Sequence, residues 1–148
     1  MEENKAESGP IQYIVVRIED EQYGFDIKYV DNIVRMQKIT RVPKAQHYFR
    51  GVINLRGEIV PVMSIRTKMG LSEDEFTNET RIIILEPEQQ GAVGVIVDEV
   101  REVVTLEDAD VDRQMCVSAE GRSSFINGVG KHNDELISLF DISAVISD

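Results

Sequence analysis

The side chains with the most chemical capacity are scattered along this chain, and none of them completes a known constellation. Asp108, Asp110 and Asp112 alternate as the first oxygen ligands of a calcium loop do. The sixth position of such a loop is then Arg113, where a sharp turn needs glycine, and the twelfth is Ala119, where a bidentate glutamate would close the site. A solvated acidic loop is the expected reading, with no metal. Gly128-Val129-Gly130-Lys131 has the closing residues of a phosphate-binding loop, but Phe125 stands at the position of its first glycine and His132 replaces the serine or threonine. A hairpin fits better. His47 and His132 lack a partner at metal-ligand spacing, and Cys116 shares no motif with either, so it reads as a loop or core cysteine. Adjacent carboxylates such as Asp98-Glu99 and Glu107-Asp108 point apart on an extended chain and cannot share a proton. There is no nucleophile elbow and no glycine-rich dinucleotide fingerprint. The expectation is a protein without enzymatic turnover, metal or cofactor.

Composition sets what must position these residues. The chain has 148 residues, 42% of them hydrophobic, with no Trp and only 6% aromatic, so β-branched aliphatic side chains must build the interior. That length suffices for one compact domain, or for two small subdomains sharing one core. A net charge of −11 disfavours nonspecific binding to nucleic acid or anionic lipid. No apolar run approaches the ~20 residues of a membrane helix. The acidic N-terminus lacks the apolar stretch of a signal peptide. A single cysteine forbids an internal disulfide and suits a reducing compartment, so a cytoplasmic protein is expected.

Residues 1–10 read as a disordered tail closed by Gly9-Pro10. From Ile11 the pattern is β, with Ile14, Val16 and Ile18 on one face and Tyr13, Val15 and Arg17 on the other. Asp20-Glu21-Gln22 reads as a turn and Tyr23–Ile27 as a second strand. The spacing then predicts a short helix capped by Asp26, carrying Ile27, Val30, Ile33 and Val34 on one stripe, and a strand over Met36–Val42. Residues 70–79 read as a loop. Arg81–Leu85, Ala92–Val97 and Arg101–Thr105 read as strands, and 107–124 as a long surface excursion. Phe125–Val129 and Glu135–Phe140 form a last hairpin, after which Asp141 caps a helix that turns Ile142, Val145 and Ile146 inward.

The densest signal is residues 49–66, F-R-G-V-I-N-L-R-G-E-I-V-P-V-M-S-I-R. Two apolar runs, Val52–Leu55 and Ile59–Ile65, flank Arg56-Gly57, a pair suited to tight reversal. Gly51 lets the first strand approach another backbone, and Pro61 marks an edge or bulge because it cannot donate to a ladder. This hairpin recurs. Gly51-Val52 followed by Glu58-Ile59-Val60 matches Gly128-Val129 followed by Glu135-Leu136-Ile137, with Phe49 and Phe125 leading the two copies. Earlier, Gly24-Phe25 and Val30 recur as Gly94-Val95 and Val100. The repeat argues for two related small β-barrels around one core.

The string Phe49–Arg66 resembles the signature of the CheW-like chemotaxis coupling family, supported by Tyr23–Ile27, Val93–Asp98 before Val100, and Leu139–Ile142. The resemblance runs from about Tyr13 to Ile146. It implies an all-β fold with short helices: two SH3-like five-stranded β-barrel subdomains packed on a shared hydrophobic core, filling residues 11–148 with a boundary near 70–80. It also implies a non-enzymatic adaptor that couples chemoreceptors to a histidine kinase and scaffolds the signalling array. Such a protein would be cytoplasmic, recruited to membrane-associated receptor arrays without inserting into the membrane itself, and would bind no nucleic acid. Carried over, a receptor-binding groove would be walled by Ile14, Ile27, Val30, Ile33 and Val100, with plain core burial the open alternative for each. Gly51, Val52, Asn54, Arg56, Gly57 and Gly128 would serve either kinase binding, to a regulatory domain of the same fold, or hairpin bracing. Two positions depart from the family. Asn32 stands where many members have the Glu that pairs with the arginine at Arg56, and Ser64 stands where many have an Asp that caps the following turn. The alternative function is a small-molecule-binding or enzymatic β-barrel protein using the inter-barrel groove.

Overall fold

The computed structural model describes residues 9–87, 91–113 and 125–147; Cys116 and most of the N-terminal tail lie outside them. The first strand, β1 (Ile11–Ile18), turns at Glu19-Asp20 into β2 (Glu21–Asp26), one step earlier than expected because Glu19 takes the positive φ of 57°. Asp26 caps only a single 3-10 turn, Ile27–Tyr29, its carboxylate accepting from the Lys28 amide at 3.1 Å. The chain then enters a strand, β3 (Val30–Arg35), where the apolar spacing predicts a helix. Residues 36–48 are a connector with one bridge, Thr40 to Val52, and the strand expected over 36–42 does not form. The signature segment is the hairpin β4 (Phe49–Leu55) and β5 (Glu58–Ser64), followed by α1 (Ile65–Lys68). After the loop come β6 (Arg81–Leu85), β7 (Val93–Val97), β8 (Glu99–Leu106) and the short β9 (Val111–Asp112). A second hairpin, β10 (Ile126–His132) and β11 (Glu135–Phe140), leads into α2 (Ile142–Ile146).

The repeat read in the sequence is structural. One sheet has the order β8-β1-β2-β11-β10-β9 and the other β3-β6-β7-β5-β4. In each, the opening hairpin of one repeat is inserted between the third strand and the closing hairpin of the other repeat. The joins are parallel pairs: β11 beside β2 sets Leu139 opposite Gly24, and β5 beside β7 sets Val62 opposite Gly94. A cut near 70–80 separates the repeats in sequence, yet each sheet takes strands from both sides of it. The hairpins match turn for turn. Arg56-Gly57 and Asn133-Asp134 both have positive φ at the two loop positions, the type I′ geometry that suits strand twist. Ser64 and Asp141 sit in the same place and both cap the helix that follows, Ser64 Oγ accepting from the Thr67 amide at 3.1 Å. The serine therefore keeps the cap that the missing aspartate would have made, since both side chains suit an N-cap. The amides of Ser64 and Asp141 bond the carbonyls of Tyr48 and Phe125, so Tyr48, rather than Phe49, is the counterpart of Phe125.

Three apolar clusters result. Sheet faces turned toward each other bury Ile14, Val16, Phe25, Ile83, Leu85, Val95 and Val97 with Ile65 and Val145 of the two helices. Each fully buried side chain of this size contributes about 1.5–3 kcal/mol. Phe140 of the second repeat stacks on Tyr23 of the first at 4.9 Å and tilts against Phe25 at 4.8 Å, sealing the join. The outer face of one sheet buries Tyr13, Val15, Val104 and Leu139, and that of the other Ile53, Val60, Val62 and Ile84. Strand β1 is thus apolar on both faces because each meets a different cluster.

The hairpin details follow the residue types. A Cβ on Gly51 would lie 2.1 Å from the Thr40 carbonyl oxygen, and its φ is +140°. Val52 exchanges both backbone hydrogen bonds with Thr40, so its partner Pro61 occupies a non-hydrogen-bonded position and no ladder donor is lost. Asn54 Oδ1 accepts from the Gly57 amide at 3.1 Å and braces the turn. Gly51→Ala is therefore expected to destabilise the fold by about 3 kcal/mol or more, and Gly57→Val by about 1–2 kcal/mol. Gly91→Val, at negative φ with open space around it, should stay within about 0.5 kcal/mol of the parent in denaturant melts.

One buried ion pair holds the turn between β7 and β8. Arg66, 8% exposed, meets Asp98, 7% exposed, with Nε at 3.1 Å from Oδ1 and a second nitrogen at 2.5 Å from Oδ2. The same guanidinium donates to Ser72 Oγ at 2.9 Å and to Glu19 at 3.4 Å, while Asp98 also accepts from the Glu19 amide at 2.8 Å. The hydrogen bond to Asp98 raises the pKa of Arg66 above its ordinary value against the opposing effect of burial. Arg66→Met leaves the buried Asp98 carboxylate with only Arg17, 3.8 Å away, as a cationic neighbour and is expected to cost about 3 kcal/mol. Adding Asp98→Leu should recover part of that loss, giving a coupling of about 2 kcal/mol in a double-mutant cycle of urea melts.

Candidate functional site

The edge strands β3 and β8 carry the residues of interest. Each holds a bulge at the equivalent place, between Val30 and Asn32 and, across from Val15 and Val16, between Val100 and Glu102. The extra residue re-phases the strand. Val30 faces Leu85 and Ile33 faces Ile83, both partners belonging to the shared core, so Val30 and Ile33 share that side despite their odd spacing. On β8, Val100 faces Val16 and Val103 faces Ile14 in the same way. Ile27, Val30 and Val100 are half-buried against the shared core, whereas Ile33 is 36% and Val103 51% exposed. Two apolar rims therefore border the shared core, one from each repeat.

The sequence-based candidates fall at different depths. Ile14, 4% exposed, lies beneath Val103 in the core and offers no surface. Ile27, Val30, Ile33 and Val100 lie on the rims, although on a turn and two strands rather than a helical stripe. Val103 was not among the candidates. It occupies the place of Ile33 in the second repeat, and the offset that relates Val30 to Val100 leads directly to it. The rim turn of the second repeat is the one braced by Arg66 and Asp98, while that of the first relies on the Asp26 cap.

Gly51 and Val52 lie along the connector side of β4, and Gly128 sits at the matching bulge on β10, where a Cβ would approach Arg113 at 3.0 Å. Asn54 and Gly57 shape the turn. Arg56 is exposed, and among the described residues its guanidinium pairs with no carboxylate, so its side chain does not brace the hairpin from within. Asn32 instead caps its neighbour, Oδ1 accepting from the Ile33 amide at 2.8 Å. Beside the two turns, Ile59 is 63% and Leu136 54% exposed at equivalent positions of the two hairpins.

Among the described residues no group of three His, Cys, Asp or Glu side chains gathers at metal-binding distance, and no helix is long and apolar enough to cross a membrane. The exposed features are apolar rims and hairpin ends, geometry suited to holding other proteins.

Comparison with known proteins agrees with this geometry. Residues 12–148 match the CheW-like domain. The chain is 35% identical over 133 residues to a chemotaxis protein CheW of Bacillus subtilis, covering 90% of this chain and 85% of that protein. It is 30% identical over 136 residues to a chemotaxis protein CheW of Helicobacter pylori, covering 92% and 81% respectively. The crystal structure of the scaffolding protein TtCheW from Thermoanaerobacter tengcongensis superposes with a TM-score of 0.82 at 31% identity, over 89% of each chain. By fold, repeat and sequence, the chain belongs to the CheW-like domain family.

Proposed function

We propose that this protein is a non-enzymatic adaptor that couples chemoreceptors to a chemotaxis histidine kinase and scaffolds their array in the cytoplasm. The observation that carries the reading is the pair of half-exposed apolar rims on the shared-core faces of β3 and β8, in a chain of the CheW-like family. A receptor tip is a helical hairpin, and an amphipathic helix needs an apolar floor of this kind. Ile27, Val30, Ile33, Val100 and Val103 form that floor, and Ile14 supports it from below. The kinase's regulatory domain, a relative of the same fold, meets the hairpin ends. There the candidates are Arg56, Ile59 and Leu136 at the surface, with Gly51, Val52, Asn54, Gly57 and Gly128 setting the hairpin shape.

The two surfaces separate by mutation. Val30→Asp and Val100→Asp, at half-buried rim positions, should each cost about 1–2 kcal/mol of stability. They should weaken binding of a receptor-tip fragment about tenfold or more while leaving kinase-domain binding intact. Ile59→Asp and Leu136→Asp should show the reverse pattern with near-parental melting. Calorimetric titrations beside thermal melts read both. Kinase autophosphorylation in receptor-containing membranes should also depend on the protein, and equal activity without it would contradict the adaptor role.

A further inference from the structure

One concavity lies on neither surface. It is an open cleft of about 750 Å³ between the connector that follows β3 and the loop that follows α1. One wall is cationic: Arg41 and Lys44 are exposed beside His47, and among the described residues the two cations pair with no carboxylate. On a chain of net charge −11, such a cluster is the exception. Val42, 47% exposed, and Phe76, 56% exposed, place apolar side chains on the two sides of the same opening.

The opposite wall holds an unsatisfied acceptor. The Asp74 side chain is only 3% exposed; its Oδ2 accepts from Arg50 at 3.2 and 3.4 Å, while its buried Oδ1 has no hydrogen-bond partner. That oxygen is enclosed by the protein and out of reach of an occupant, and Arg50 offsets the charge of the carboxylate on this wall. The wall is held in place from behind, since Arg66 donates to Ser72 Oγ at 2.9 Å and to the Glu73 carbonyl at 3.2 Å.

We propose that this cleft docks an extended acidic peptide segment of a partner protein. Such a segment supplies carboxylates for Arg41 and Lys44 and an apolar side chain for Val42 and Phe76. A small inorganic anion brings no apolar group for Val42 and Phe76. Nucleic acid carries a charge on every residue against a chain of net charge −11 and brings no aliphatic side chain to the opening. None of the rim residues lines the cleft, nor does the Arg56-Gly57 turn, so the surface is separate from those assigned to receptor and kinase.

The test is an NMR titration of the isotopically labelled full chain with a capped peptide, Glu-Glu-Leu-Phe-Asp-Glu. Saturable shifts are expected at 41–50 and 73–76, with the rims and the hairpin turns unmoved. The double substitution Arg41→Glu, Lys44→Glu, at exposed positions where the spectrum itself reports folding, should weaken the affinity about tenfold. A peptide with lysines in place of its acidic residues should leave the cleft unshifted. The proposal is overturned if the lysine peptide binds equally, if inorganic phosphate alone reproduces the shifts, if the peptide's shifts fall elsewhere, or if the double variant binds as tightly as the parent.

Discussion

Two short parallel pairings govern this molecule. Where β11 lies beside β2 and β5 beside β7, the closing hairpin of each repeat is locked to the opening hairpin of the other, and no side chain intervenes at Gly24 or Gly94. A Cβ at Gly94 would come within 2.8 Å of Ile82 and 3.3 Å of Val62 across the join, and one at Gly24 within 3.1 Å of Leu139, so a side chain at either would have to push its neighbours aside. From these joins follow the mixed sheets, the shared core between them, and the placement of β3 and β8 as outer edges. Apolar rims arise because a core-facing edge strand cannot be covered on its far side.

The scaffold is nearly symmetric and its decoration is not. Ser64 and Asp141 cap equivalent helices, and Ile59 and Leu136 project from equivalent hairpins. Yet Arg66 corresponds to Ser143, and Asp98 to Lys28, so only one crossover is pinned by a buried guanidinium–carboxylate pair. The other rests on one cap and on Lys28 lying 5.1 Å over the Tyr29 ring. A helix bound as proposed would therefore meet a pinned rim on the side of Val100 and a more lightly tethered one on the side of Val30, which would give a symmetric core a direction. The helices are tied in turn by Lys68, whose ammonium sits 4.6 Å over Tyr48 and donates to the carbonyls of Val145 and Ser147 at the end of α2.

Much of this was legible from local chemistry. Arg56-Gly57 announces a tight reversal, the alternating apolar pattern from Ile11 announces a strand, and Gly51 announces a close backbone approach. Two of the failures share one cause. A bulge inserts a residue into an alternating pattern, and Val30, Ile33 and Val34 then imitate helical spacing while lying on a strand. The same bulge hid Val103 until its place was matched to Ile33. The stretch 36–42 has strand-forming residues but no neighbouring edge beyond Thr40, so pairing stops at one bridge. Ser64 shows the reverse case, a substitution that departs from a family pattern and keeps its physics. The reciprocal assembly of the sheets could not be read locally, since it depends on pairings as distant as Val62 with Gly94 and Tyr23 with Ser138.

The central claim is that one chain presents two separate surfaces to two partners. Hydrogen exchange read by mass spectrometry, on the full chain alone, with a receptor-tip fragment, with the kinase regulatory domain and with both, tests it most directly. The account predicts that the receptor fragment slows exchange at 27–34 and 97–104, that the kinase domain slows it around 55–60 or 133–137, and that the two patterns add when both are present. Protection of the same segments by both partners, or loss of one pattern when the other partner is added, would contradict it.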